Sequence, residues 1–403
     1  MLATLISIIL VIVFTLGFEP AVLAFFPVVA LAGGIVTILV TPLIVGLTLI
    51  PLQASSVETS SRAMSLARKD PFQIVLIFVW ISFAIYSLAA ASFASTLLFV
   101  LWVVWLGVSL DAMVLYMWRA TGFSDPYHLV DLHVKNGIKN FPADSQKELC
   151  ASIDALAEVS LKAMYQKSLP LSSEVVDSLE GLGRDYLKYV DGTGGADASG
   201  RVNYTLGFLF HRLQMLFDLA AEDRLEPMGN RIILCAAKLT AATAKFDPSQ
   251  ASLPIHFLEG FIETATEYEL KEVTVNSSIV LQEIIKSMIE DPELRGKNLS
   301  GVLFSLIGQM EKLATETFKE DKSTPIPLLT EPFRDLQTHL EEKISDFPES
   351  QAVIAHLKRI VTDFQALQGV LQSIPDIPGY SKEKPKEESE EESEEEAQEE
   401  SEE

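Results

Sequence analysis

Apolar residues run almost without interruption from Leu2 to Leu52, broken by Glu19, and again from Phe72 to Trp118, broken by Asp111. A helix that crosses the hydrocarbon core of a bilayer needs about 20 apolar residues at about 1.5 Å of rise each. The second run is about twice that length, with a small polar break at Ser92, Ser95 and Thr96, so it predicts two spans, about 72–91 and 96–118. The first run divides at Glu19-Pro20, where a carboxylate that hydrocarbon disfavours precedes a residue without a backbone N–H. It predicts spans at about 2–18 and 23–50. The expected total is four crossings, with three or five as the alternatives. Pro27, Gly33, Gly34, Pro42 and Gly46 lie inside the second span. They predict a tilt, a kink or a partly re-entrant segment that absorbs its excess length.

From Thr121 to Tyr380 the pattern changes to amphipathic helices. Leu149, Ile153, Leu156 and Ala163 share one helical face, as do Leu303, Ile307, Met310 and Leu313, and Phe333, Leu336, Leu340 and Ile344; each set has a polar back. Leu206, Leu209, Phe210, Leu213, Leu216 and Phe217 form another face, with Phe208, Met215 and Leu219 on a second side, which predicts a central helix buried nearly all round. Asp125-Pro126, Asp247-Pro248 and Asp291-Pro292 mark helix starts, where Asp caps and Pro fits the first turn, and Ser145 with Glu148 reads as a capping box. Val273-Thr274-Val275 has a strand-like composition but is too short to build a sheet. The expectation is an all-α protein with eight to ten helices in this part and essentially no β-structure.

Three similar junctions recur: Phe141-Pro142-Ala143-Asp144-Ser145-Gln146, Phe246-Asp247-Pro248-Ser249-Gln250 and Phe347-Pro348-Glu349-Ser350-Gln351. They are read either as helix stop-and-restart points, which favour Pro, Asp and Ser for capping reasons alone, or as a true repeat. The first reading gives an irregular helical bundle; the second gives a helical solenoid that presents a concave surface to a partner. Asp191 to Gly200 is glycine-rich and marks a candidate joint. It lacks the Gly-Lys-Ser/Thr and the preceding strand of a phosphate loop. Leu357, Ile360, Phe364, Leu367 and Leu371 have heptad spacing over about two heptads, which fits packing within their own domain better than a coiled-coil seam between copies. Homo-oligomerisation through this seam is the other expectation kept.

Charge then divides the chain. Residues 1–119 balance four acids (Glu19, Glu58, Asp70, Asp111) against four bases (Arg62, Arg68, Lys69, Arg119). The segment from Lys382 to Glu403 holds thirteen Glu and three Lys, cannot bury a core and is expected to be a disordered acidic tail, with Ser389, Ser393 and Ser401 as candidate phosphorylation positions. Of the net −24, −14 remains for residues 120–381, so the helical domain is acidic without its tail. That excludes a nucleic-acid footprint, which needs a basic patch. It disfavours anionic lipid except near Arg119, Lys135 and Lys139. Arg62, Arg68 and Lys69 in the one substantial loop, and Arg119 after the last span, predict both termini in the cytoplasm of a plasma or inner-membrane protein. A cleaved signal peptide ending near Ala30-Leu31-Ala32 is the rival for the first helix, weakened by the missing cationic start and by the apolar run beyond it.

No catalytic, cofactor or metal constellation emerges, and the chain is read as a non-enzyme. Cys150 and Cys235 are single and read as buried core in a reducing compartment. His128, Asp131 and His133 form the one local grouping, yet positions 128 and 133 do not share a helix face as zinc-binding helices require. Asp111 is the candidate intramembrane polar site: a proton or cation site, a hydrogen-bond partner for Ser82, Ser87 or Ser109, or a carboxylate close enough to the headgroups to reach water. Glu19 is read as a turn residue on the outer face. The favoured function is a polytopic membrane protein that anchors a helical scaffold or adaptor domain at the cytoplasmic face, with lipids and unidentified proteins as partners. The alternative is a channel or transporter subunit with a large cytoplasmic regulator, its substrate site at the broken helix around Pro27, Gly33, Gly34 and Pro42. A membrane-bound enzyme is third.

Overall fold

The computed structural model describes residues 2–17, 20–58, 70–93, 95–122, 125–142, 146–193, 198–320, 325–343 and 350–373. All regular structure in them is helical. Four apolar helices come first: α1 (Leu2–Gly17), α2 (Pro20–Glu58), α3 (Pro71–Ala90) and α4 (Thr96–Gly122). Ten more follow: α5 (Pro126–Lys139), α6 (Lys147–Tyr165), α7 (Leu169–Thr193), α8 (Ala198–Glu222), α9 (Glu226–Phe246), α10 (Ser252–Glu267), α11 (Lys271–Glu290), α12 (Ser300–Glu320), α13 (Ile326–Glu342) and α14 (Ser350–Ser373). Val273-Thr274-Val275 lies inside α11, because its β-branched residues sit in a segment whose neighbours Leu270, Val273, Ser277 and Leu281 all find a buried helical face. Glu19, Ser145, the loop cations Arg62, Arg68 and Lys69, the Phe347 end of the third junction, Ile344 and the acidic tail lie outside the described residues.

Among the described residues three helices, not four, are long and apolar enough to cross a membrane: the Phe25–Gly46 part of α2, α3 and α4. The count of four is corrected by length. α1 has 16 residues, about 24 Å of helix against about 30 Å of hydrocarbon. α2 is continuous for 39 residues through Pro27, Gly33, Gly34, Pro42 and Gly46, which leaves tilt or kink, and not a re-entrant break, among the expected ways of absorbing its length. The hydroxyls of Thr37 and Thr41 donate to the carbonyls of Gly33 (2.7 Å) and Thr37 (2.6 Å), supplying extra backbone bonding near Pro42. The glycines serve contact rather than breakage. A Cβ on Gly33 would stand 2.9 Å from Trp102 Cζ2, and one on Gly34 would stand 3.0 Å from Leu88 Cδ2, so both let α2 approach its neighbours closely.

α2 packs on α3 and α4, α3 on α4, and α1 on α4. Their shared core has two clusters: Phe26, Ala30, Phe83, Ala90 and Trp102, and Ile44, Leu76, Trp80, Ala112 and Tyr116. Trp102 is fixed by edge contacts with Phe26 (6.2 Å) and Phe83 (5.8 Å) and by its indole N–H donating to the Ser87 hydroxyl at 2.8 Å. Only a fifth to a third of each apolar stretch is buried. Leu39, Ile85 and Val114, each more than 60 % exposed, point outward.

The chain divides into two compact units, Met1–Val273 and Thr274–Glu403. In the first, substantial packing among α5 to α10 joins each helix only to its next and next-but-one neighbour: α5 to α6 and α7, α6 to α7 and α8, α7 to α8 and α9, α8 to α9 and α10, and α9 to α10. This nearest-neighbour pattern is consistent with a helical solenoid. α8 forms its middle. Leu206, Leu209, Phe210, Leu213, Leu216 and Phe217 are fully buried and Leu219 nearly so, but Phe208 is half-buried beneath Arg212 and Met215 is exposed, so the helix keeps one open side.

Three junctions repeat a geometry that the sequence reading missed. At the ends of α6, α8 and α10, Lys167, Arg224 and Glu269 adopt left-handed backbone angles, with φ of 58°, 53° and 55°. In each case the next N–H reaches back five residues to an alanine carbonyl: Ser168 to Ala163 (2.8 Å), Leu225 to Ala220 (2.7 Å) and Leu270 to Ala265 (2.9 Å). This is the Schellman helix stop. It ends α6, α8 and α10 in the same way, and α6–α7 and α8–α9 pack as like hairpins. The Phe141 and Phe246 junctions fall at the intervening connections, α5–α6 and α9–α10.

In the second unit α14 packs on α12 and α13. Leu357, Ile360 and Phe364 are buried there, within their own unit, whereas Leu367 is exposed. Asp335 on α13 ties down α11 by accepting from Gln282 (2.7 Å) and pairing with Lys286.

Candidate functional site

Asp111 lies on α4 and reaches across to the start of α1. Its carboxylate accepts from the backbone N–H groups of Ala3 (3.2 Å) and Thr4 (3.0 Å) and from the Thr4 hydroxyl (2.5 Å). The first N–H groups of a helix have no partner within it, and an uncovered one is costly where water is absent. Asp111 therefore acts as an N-cap supplied by another helix, and its negative charge also suits the positive end of the α1 dipole. A Cβ on Gly107 would stand 2.9 Å from the Ala3 carbonyl oxygen, so glycine there lets α1 lie close enough for the cap. The serines named as alternatives are engaged elsewhere or buried: Ser87 with Trp102, Ser82 with the Val79 carbonyl (2.8 Å), and Ser109 within the bundle.

The second polar group joins the start of α3 to the end of α4. Asp70 caps α3 by accepting from Phe72 N–H (3.1 Å), its other oxygen pairs with Arg119, and the Arg119 guanidinium lies 5.2 Å from the centre of the Phe72 ring. The Asp70 side chain is 8 % exposed and that of Arg119 44 %, as expected of a pair at the edge of an apolar bundle. The signal for Asp70 was present in the sequence: Asp70-Pro71 is the same start motif as Asp125-Pro126, Asp247-Pro248 and Asp291-Pro292, all of which cap as expected. The last two open short 3₁₀ turns, Pro248–Ala251 and Pro292–Leu294, rather than α-helices.

A charged seam joins α7 to α9. Asp177 holds Arg231 in a two-pronged pair, and the buried Glu180 lies 3.2 Å from Lys238 and 3.4 Å from Arg184. Cys235 sits beneath this seam, fully buried; burial, reinforced by Glu180 and Asp177, pushes its thiol well above the usual range. Cys150 is also buried, and burial raises its thiol too. Neither is disposed as an attacking thiolate. The seam pairs each carboxylate with a cation, an arrangement that fastens helices.

His128, Asp131 and His133 do not converge. His133 is buried, His128 lies against Gly122 at the end of α4, and Asp131 pairs with Lys135 at 2.6 Å. Among the described residues no group of three His, Cys, Asp or Glu side chains has metal-binding geometry. Gln146, at the start of α6, extends its amide to the Tyr186 hydroxyl (3.0 Å) and the Arg201 carbonyl (2.9 Å), locking α6 to α7 and α8.

No protein-family model and no curated protein sequence matches the chain. Among solved structures the chain is similar to a circular tandem repeat protein with novel repeat topology and enhanced subunit contact surfaces. The identity is 14 %, 84 % of this chain and all of that one are covered, and the TM-score is 0.25. A likeness at that level leaves the fold to be argued from the chain's own contacts.

Proposed function

We propose that this is a polytopic membrane protein whose α2, α3 and α4 cross the bilayer and whose helical domain, beginning at α5, serves as a scaffold or adaptor surface for other proteins at the cytoplasmic face. The observation that carries the membrane half is the inverted character of the first four helices. Trp102 and Ser87 face inward and Asp111 is held against α1, whereas large apolar side chains such as Leu39, Phe78, Ile85 and Val114 face outward. A water-soluble bundle would bury the reverse set. Nearest-neighbour stacking of α5 to α10 supports the scaffold half, because such stacks offer extended surface without a central cleft. The unbroken α2 leaves the channel or transporter reading without its expected substrate site.

The test uses the full chain. Expressed with a tag after Glu403, it should remain in the membrane pellet after alkaline carbonate extraction, and the tag should react with reagents only from the cytoplasmic side. Release into the supernatant would remove the membrane reading; labelling from the outer side would reverse the orientation. A partner that co-purifies at fixed stoichiometry in detergent is expected, and a chain that purifies alone from its native membrane would count against the scaffold.

A further inference from the structure

Asp125 N–H, at the start of α5, donates to the Gly122 carbonyl at the end of α4 (3.2 Å), and His128 lies within 3.6 Å of where a Gly122 Cβ would be. One side of α5 therefore looks back at the end of the last apolar helix. The helix has two clear faces. Leu129, Val130, His133 and Gly137 are buried against α6 and α7. The opposite arc, which includes His128, exposes Tyr127 (50 %) and Ile138 (42 %), eleven residues apart and so aligned, together with Lys135, Lys139 and Asp131. Two apolar anchors flanked by lysines make up the side of an interfacial helix that lies on a bilayer, with its ring and alkyl groups among the upper acyl chains and its ammonium groups at the phosphates. Asp131 pairs with Lys135, so the arc carries a net charge of +1, with both ammonium groups at the exposed edge, in a domain of net charge −14.

We infer that the Tyr127–Ile138 arc of α5 docks on the headgroup layer of the membrane and that Lys135 and Lys139 engage anionic lipid phosphates there. The inference rests on the reading that α2, α3 and α4 lie in the bilayer. It adds a second, lateral attachment that sets how the helical domain is held relative to the surface. The domain's remaining acidity would repel the same lipids, so the docking is confined to this arc.

The experiment places the full chain in vesicles of phosphatidylcholine with or without phosphatidylglycerol. A polarity-sensitive fluorophore is attached at Ile138→Cys or, separately, at Val114→Cys, which faces outward from α4; the native thiols are buried. Headgroup-linked nitroxide lipid should quench the Ile138 probe, more strongly with phosphatidylglycerol present. Each lysine at an anionic surface contributes roughly fivefold to a docked population, so K135E with K139E should reduce that quenching of order tenfold. The Val114 probe reports the span separately through acyl-chain nitroxides. Val114 quenched with Ile138 untouched overturns the docking while the anchor stands. Equal quenching of Ile138 in both lipid mixtures, or indifference to the lysine reversals, overturns the phosphate assignment. Neither probe quenched removes the anchor and the docking together.

Discussion

Lys167, Arg224 and Glu269 hold left-handed backbone angles at the ends of α6, α8 and α10, and all three side chains are exposed. For an L-residue that conformation costs about 1–2 kcal/mol, which glycine avoids. Glycine also gives the unfolded chain extra freedom, costing about 0.5–1 kcal/mol in return. Replacing each residue by Gly should therefore stabilise the protein by a net of about 0.5–1 kcal/mol. The three junctions share no partners, so the triple variant should gain about 1.5–3 kcal/mol. Urea unfolding of the full chain in detergent micelles, followed by helical circular dichroism, measures this. With a slope of about 3 kcal/mol/M the midpoint should rise by roughly 0.5–1 M. Lys188→Gly supplies the opposite sign, because Lys188 lies within α7 with its side chain exposed, where glycine costs about 0.8–1 kcal/mol. A triple variant whose midpoint stays put or falls while Lys188→Gly behaves as expected would refute the shared hairpin geometry.

Three further outcomes are expected. Gly33→Ala pushes a methyl toward Trp102, which is already held by Ser87, and should destabilise the bundle by about 1–2 kcal/mol; Gly46→Ala on the same helix meets open space and should be neutral or mildly stabilising, and equal thermal shifts for the two in detergent would count against the α2–α4 contact. Cys150 and Cys235 should resist a thiol reagent at neutral pH until denaturant is added; immediate titration of two thiols in native buffer would contradict their burial. Lys358 (2.9 Å), aided by Gln337 (3.1 Å), holds the Glu341 carboxyl below its usual range. A lowered carboxyl contributes above its unfolded pKa and loses that contribution as pH falls through the folded one. The stability difference between the native chain and Glu341→Gln should therefore shrink on acidification below about pH 4.5 and in high salt, and a difference that persists in acid would reassign the effect.

What the sequence revealed and what it hid follow physical lines. Uniform apolar runs and Asp-Pro starts are local signals, and the helices from α3 onward follow them closely, including the turn at Ser92. Pro27, Gly33, Gly34 and Pro42 left several outcomes open in the sequence; packing against Trp102 and Leu88, with threonine hydroxyls on the backbone, keeps α2 continuous. The role of Asp111 was hidden because its partners, Ala3 and Thr4, are more than a hundred residues away and are backbone groups that no residue type advertises. The hairpin stops were hidden because Lys, Arg and Glu occupy positions where glycine is the usual flag. The recurring signal was instead an alanine, at 163, 220 and 265, four residues before each of them.

The Asp111 cap also orders events in time. A ribosome delivers α1 first, yet the carboxylate that completes its opening turn emerges only after α2 and α3 have been made. In the proposed membrane arrangement the first helix carries until then unsatisfied donors that only water or headgroups can serve, so it has reason to wait at the membrane surface. α1 precedes α2 and α3 in synthesis yet is seated after them, and a nascent chain arrested before residue 111 should have α2 and α3 packed together while α1 is still unseated.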